Sequence, residues 1–294
     1  MNQEQLKLPD TRLATVDKVE WPELASRRID MDALRLDKIH PVISGNKWFK
    51  LHPYLQTATG RPDHLLTFGG AWSNHIIAAA YASREAGIPI TGIIRGERAA
   101  RLSETLQAAS GYGMQLEFIS REQYRKKDDP DFSDLGFMQR LSRQFPHIRV
   151  IPEGGAGPEG IRGSEEILQL TDQGRYTHIL CAIGTGTMYH GLSRAASPGQ
   201  TVIGIPVLKG FGDGLTAGYH FGGYARKTDE LLDFMNRFYQ VTGIPTDFVY
   251  TGKLFFAALD LVRKELFPSG SRLLVIHSGG LQGNRSLSNG ILAF

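Results

Sequence analysis

The chain has 294 residues, 41% of them hydrophobic and 21% charged, with a formal net charge of +3. These totals suit a globular protein with one large or two modest cores, and no tract is of low complexity. The basic run Arg121 to Lys127 is interrupted and followed at once by Asp128, Asp129 and Asp131, which predicts a solvated loop rather than a nucleic-acid surface. The N-terminus is polar and no apolar stretch is long enough to span a bilayer, so the expectation is a cytoplasmic protein without a signal peptide or membrane attachment.

In chain order, the first forty residues show only one clear element, Ile29 to Leu36, expected as an edge strand. Ser44-Gly45-Asn46-Lys47-Trp48-Phe49-Lys50-Leu51 follows as a helix start, with Ser44 or Asn46 a natural N-cap. Lys47 and Lys50 are spaced i, i+3 and share one helix face. Most such pairs are solvated. In a cavity, a desolvated lysine loses part of its preference for charge and can attack a carbonyl.

From there a strand–helix rhythm sets in. Strands are predicted at residues 65–68, 90–94, 116–119, 149–152, 178–183, 202–207 and 273–276. Helices are predicted at about 73–86, 104–112, 134–145, 158–170, 188–196 and 229–241, with a last one running to Leu266. A Gly-rich stretch spans Lys209 to Gly223, and Phe248 to Tyr250 is expected as a strand entering the last helix. Strands that are mostly unbroken apolar runs argue for parallel sheets covered on both faces. The single cysteine, Cys181, lies inside such a run and is expected to be a buried strand residue.

Glycines and polar groups collect at the carboxyl ends of these strands, the edge where open α/β sheets bind ligands. Gly184-Thr185-Gly186-Thr187 joins a buried strand to a helix and has the parts of a phosphate cradle: backbone N–H donors, close approach and two hydroxyls. No nucleotide-binding glycine signature accompanies it. Ser73-Asn74-His75 opens a helix after two glycines, where Ser73 can act as a cap. Tyr250-Thr251-Gly252-Lys253 offers a tyrosine that can stack on a ligand or donate a phenol, and Ser278-Gly279-Gly280 places a hydroxyl after the last strand. The nine histidines show no metal-ligand spacing, so no metal site is expected. A reactive lysine, a phosphate loop, an asparagine and hydroxyls at strand ends are together what pyridoxal 5'-phosphate requires.

These segments resemble the 1-aminocyclopropane-1-carboxylate deaminase and D-cysteine desulfhydrase family of pyridoxal-phosphate enzymes, from about Arg35 to the C-terminus. Ser44 to Leu51 is similar to the family's G-G-N-K-x-R-K-L, with Ser44 for a glycine and Phe49 for an arginine. Ser73-Asn74-His75 is similar to its Q-S-N-[HQ], with Trp72 in place of the glutamine. Gly184 to Thr187, Gly223-Tyr224, Tyr250 to Lys253 and Ser278 to Gly280 resemble its remaining motifs.

The resemblance implies a two-domain, three-layer αβα fold of the tryptophan synthase β-like type (fold type II) with mostly parallel sheets. Residues 1–48 and 149–294 would form the larger cofactor-binding domain and 49–148 the smaller. Lys47 would form the Schiff base and later move a proton at the substrate α-carbon, with Lys50 near the phosphate. Asn74 would bond the cofactor's phenolic oxygen, and Gly184, Thr185, Gly186 and Thr187 would hold its phosphate. Tyr250 would stack at the ring, Tyr224 would stand close to substrate, and Ser73 would hold the substrate carboxylate or assist proton transfer. Thr251 and Ser278 would lie near the pyridine nitrogen. Hydroxyls at those two places side with the desulfhydrase-like members. The expected reaction is therefore β-elimination from a small amino acid, giving ammonia and an α-keto acid. Cyclopropane-carboxylate deamination and a non-catalytic family member are the alternatives, and a homodimer is the implied assembly.

Overall fold

The computed structural model describes residues 8–55, 60, 62–208 and 216–294. Among the described residues, nine strands form two sheets. The first joins β1 (Thr15–Lys18), β2 (Asp30–Arg35), β9 (Arg272–His277), β7 (His178–Ile183) and β8 (Thr201–Pro206), in that order. The second joins β5 (Gln115–Ile119), β4 (Ile90–Arg95), β3 (His64–Gly69) and β6 (Ile148–Ile151). Every pairing is parallel except that of β1 with β2. The mostly parallel α/β architecture read from the sequence is thereby borne out.

Among the described residues, ten α-helices flank the sheets: α1 (Pro22–Arg27), α2 (Asn46–Leu55), α3 (Asn74–Ala86), α4 (Glu104–Gly111), α5 (Arg121–Arg125), α6 (Gly136–Gln144), α7 (Pro158–Glu165), α8 (Thr187–Ala195), α9 (Asp229–Thr242) and α10 (Thr251–Arg263). The strands are apolar throughout because successive residues feed cores on opposite faces. In β7, Leu180 packs into the core shared with α10, while Ile179 and Cys181 pack into the one shared with α8. In the second sheet, Leu65, Ile90 and Ile94 meet α3, whereas Leu66, Phe68 and Ile93 meet Tyr124, Phe132 and Phe137. Cys181 is indeed a buried strand residue, and burial pushes its thiol up to about 12.

Helix α3 shows how local sequence sets the boundaries. The Ser73 hydroxyl accepts from the Ile76 N–H, and Gly87 ends the helix in the left-handed region at φ 62°. Between them the helix carries Ala78, Ala79 and Ala80, small enough to lie fully buried.

Several elements differ from the sequence reading. β2 is internal, because β1 adds to its outer side; four residues with no clean apolar alternation conceal that strand. Arg121 to Arg125 is a short helix rather than a loop, fixed by a capping box in which Ser120 and Gln123 bond reciprocally. Residues 248–250 are a turn, not a strand. α7 stops at Glu165 and continues as a 3-10 turn to Leu170. The Gly-rich stretch from Lys209 lies partly outside the described residues. Among the described residues no helix is long and apolar enough to cross a membrane.

One ion-pair cluster ties the first sheet together at its carboxyl edge. Arg35 bonds both Asp17 (2.9 Å) and Asp37 (2.6 Å), and His277 Nδ1 stands 3.0 Å from Asp37. Burial would raise the Asp37 carboxyl, but His277 and Arg35 more than offset this and hold it below the ordinary carboxylate range.

Candidate active site

The carboxyl ends of both sheets open onto one cavity of about 610 Å³, a size typical of small-molecule and cofactor sites. α2 enters it through a tight junction with the end of β9. Gly45 sits at φ 69°, its N–H bonds Leu36 O, and the Asn46 N–H bonds Ser278 O at 3.1 Å. A Cβ on Gly45 would stand 1.8 Å from that same oxygen. The residue before the lysine helix must therefore be glycine, both for its backbone conformation and for space.

Lys47 and Lys50 both line the cavity, as their spacing on one helix face predicts. Asn46 is the first residue of α2 rather than its cap. The Asn46 oxygen instead accepts from Lys47 Nζ at 2.9 Å. Burial pushes the Lys47 ammonium down to about 8, with the carboxylate of Asp247 opposing the shift. Burial also lowers Lys50 well below an ordinary lysine, and the neighbouring Lys47 charge lowers it further. Two amines are thus held where the neutral form is accessible near neutral pH, which is the electrostatic condition for a lysine nucleophile.

Ser73, Asn74 and His75 bring the start of α3 to the same cavity. The protonation of His75 follows from its partners. Thr67 Oγ1 donates to Ile151 O at 2.9 Å, so it can only accept from His75 Nε2 at 2.7 Å. The proton therefore sits on Nε2, and the buried Nδ1 lone pair has no partner among the described residues. Burial and the two lysines push this imidazole down to about 3, so it is neutral.

Gly184, Thr185 and Gly186 line the opposite side, between β7 and α8, with Gly186 at φ 79° as the helix N-cap. A Cβ on Gly184 would meet the Tyr250 ring at 3.3 Å, and one on Gly154 would meet Thr185 at 3.0 Å. The glycines leave a cradle that side chains would fill. Tyr250, Tyr224 and Ser278 also line the cavity. Burial raises the Tyr250 phenol, so it stays protonated.

Two of the sequence-derived candidates face elsewhere. Thr187 turns its hydroxyl to Thr185 at 2.9 Å, bracing the loop from behind. Thr251 is fully buried, accepting from the Asp247 N–H and donating to Asp247 Oδ1, both at 2.7 Å.

Three residues around the site escaped the sequence reading. Asp247 is fully buried and accepts the N–H groups of Val249, Tyr250 and Thr251, an anionic cap for α10. Its signal was an aspartate just ahead of an apolar helix start. Arg95 and Glu153 also line the cavity. Each stands at or just beyond the carboxyl end of a parallel strand, so the same edge rule could have found them.

A depressed lysine and a glycine–threonine loop at a helix N-terminus, both on one cavity, fit an anionic carbonyl cofactor. Fold and site together describe a two-sheet α/β protein with two buried lysines and a glycine–threonine loop on one cavity. No family model matches the chain. A Pyrococcus furiosus protein named provisionally as a 1-aminocyclopropane-1-carboxylate deaminase is 28% identical, the alignment covering 97% of this chain and 93% of that protein. The mitochondrial bifunctional D-cysteine desulfhydrase/1-aminocyclopropane-1-carboxylate deaminase of Arabidopsis thaliana is 26% identical over 82% of this chain and 70% of its own length. The crystal structure of a 1-aminocyclopropane-1-carboxylate deaminase homologue superposes with a TM-score of 0.72 at 24% identity, covering 95% of this chain and 92% of that one. O-ureido-L-serine synthase superposes at 0.66 and 14% identity, over 97% and 95%. The chain is therefore a relative of the deaminase and desulfhydrase group and has its fold.

Proposed function

We propose that the protein is a pyridoxal-phosphate-dependent lyase or deaminase of small amino acids, catalysing D-cysteine desulfhydrase-like β-elimination. The observation that carries this reading is the convergence of Lys47, with its depressed ammonium, and the Gly184–Gly186 cradle on one cavity. The two sheets support a division into a larger unit (residues 1–48 and 149–294) and a smaller one (49–148), with β6 extending the smaller sheet to Ile151.

When bound, pyridoxal phosphate supplies an electron sink for negative charge developing at the substrate α-carbon. The chain's own groups do the rest. Gly184, Thr185 and Gly186 would hold the phosphate, with Lys50 as counter-charge and Thr187 bracing Thr185. Asn74 and Ser278 would donate or accept at the ring's polar atoms, with Tyr250 beside the ring. Ser73 and the N-terminus of α3 receive the substrate carboxylate. The Lys47 amine takes the α-proton. The Cβ–S bond then breaks with its electron pair leaving on sulfur, and hydrolysis gives ammonia and the α-keto acid. The preference for elimination over cyclopropane opening rests on Ser278 alone, because the Thr251 hydroxyl is committed to Asp247.

The test is an absorbance spectrum of purified protein with added pyridoxal phosphate, for wild type and Lys47→Ala. A borohydride-sensitive band that the variant lacks supports the cofactor and the lysine together, and sulfide release from D-cysteine then supports the reaction. Ammonia from the cyclopropane substrate without sulfide from D-cysteine would reverse the preference. A wild type without the band would end the enzyme reading.

A further inference from the structure

The mouth of the cavity carries a cation that the reaction above does not use. Arg95 is the last residue of β4 and lines the site together with Trp72 and Ser73. Its guanidinium lies beside the turn that precedes α3: a Cβ on Gly70 would stand 3.5 Å from one of its terminal nitrogens. Among the described residues Arg95 makes no ion pair, unlike Arg35, which is neutralised by two carboxylates. Glu153, the acid in the same lining, faces Lys127 at 3.8 Å. The guanidinium instead sits over the Tyr124 ring, 5.6 Å from its centroid. An aromatic face holds a cation in place without supplying a full negative charge.

The other charges of the cavity already have uses. On the reading above, Lys47 and Lys50 would serve the cofactor's carbonyl and phosphate, and Ser73 with the α3 N-terminus would meet the substrate's α-carboxylate. Arg95 is the cation left over in the same lining. Trp72 and Tyr224, 50% and 52% exposed, flank the same opening and leave room for a side chain that projects toward it. A planar fork of N–H donors at that position matches a carboxylate or an anion of similar shape.

We propose that Arg95 can read a second anionic group, so that the site, besides small amino acids such as cysteine, binds amino acids carrying a carboxylate or comparable anion beyond the α-carbon in preference to their neutral isosteres. This rests on the reading of the cavity as an amino-acid site. It makes Arg95 a specificity determinant that touches the substrate and leaves the α-proton chemistry to Lys47.

The test is calorimetric titration of wild type and Arg95→Gln, each as purified and after loading with pyridoxal phosphate. The probes are both enantiomers of aspartate, asparagine, glutamate, glutamine and alanine. In wild type, at least one acid should bind about tenfold or more tightly than its isosteric amide, as expected for a charge-assisted pair. Arg95→Gln should abolish that preference while leaving alanine affinity and the borohydride-sensitive band in place. Equal binding of every acid and amide by wild type would overturn the inference. So would a loss of alanine affinity as large as the loss for the acid, which would place Arg95 on the α-carboxylate. Failure of the cofactor reading is separately visible: the band is then missing, yet the acid-to-amide ratio is still read on protein as purified. If no amino acid binds in either form, both readings fall.

Discussion

Gly45→Ala is the substitution whose cost can be worked out most fully. Two separate penalties act. An L-residue at φ 69° pays about 1–2 kcal/mol for the left-handed conformation. The added methyl would also stand 1.8 Å from Ser278 O, so roughly 1 Å or more must open between α2 and the end of β9. That movement breaks the Asn46 N–H to Ser278 O bond and strands a buried donor, a further loss of about 1–3 kcal/mol. The sum is about 2–5 kcal/mol. Gly243→Ala is a matched control, because Gly243 has φ 68° and nothing within 4 Å of its would-be Cβ. It should pay the conformational part only. Urea unfolding of both variants, compared at a common slope, gives the difference directly. Gly45→Ala should also weaken the borohydride-sensitive band, since the same junction aims Lys47 at Ser278's side of the cavity. Equal destabilisation of the two variants would show that the α2–β9 junction yields freely, and the argument that it holds the lysine rigidly would fail.

Two other perturbations probe the buried charges. Asp247 holds the Lys47 ammonium up against burial, so Asp247→Asn should move the midpoint of Lys47 reactivity below the value of about 8 expected for wild type. Removing a nearby negative charge destabilises the protonated amine, which is why the shift is downward; reductive methylation of the apoprotein across pH, read at Lys47 by mass spectrometry, checks it, and an unchanged or raised midpoint refutes it. Lys253 is fully buried and donates to His220 O at 2.8 Å and Gly223 O at 2.9 Å, clamping the segment that carries Tyr224. Lys253→Met should speed proteolytic cleavage within residues 216–228 severalfold while lowering global stability by no more than about 3 kcal/mol, the scale of losing two buried hydrogen bonds; wild-type protection there would mean that the clamp does not hold the segment.

Much of this protein is legible along the chain because the relevant physics is local. Unbroken apolar runs marked the parallel strands, Ser73 and Gly87 bounded α3, and the i, i+3 lysines had to share a helix face. Glycines at strand ends pointed to the ligand edge, and the motif resemblance pointed to relatives that the comparisons then found. What the sequence did not reveal depends on residues brought together from far apart. β1 became the edge strand only by pairing with β2, and the turn before α10 looked like a strand because Phe248 and Val249 are buried by packing rather than by a sheet. Thr251 read as a site hydroxyl until Asp247 claimed it. The His75 proton was assigned only once Thr67 was seen donating to Ile151 O, a partner 84 residues away. Arg95 had no motif at all. A single strand-end arginine is ordinary in sequence. It acquires meaning only where two sheets meet and leave its charge facing a cavity, with no carboxylate paired to it among the described residues. Periodicity and turn chemistry settled the elements, and the tertiary structure decided which of their polar groups were spent on the fold and which remained for a ligand, because burial and hydrogen-bond satisfaction are properties of the assembled neighbours.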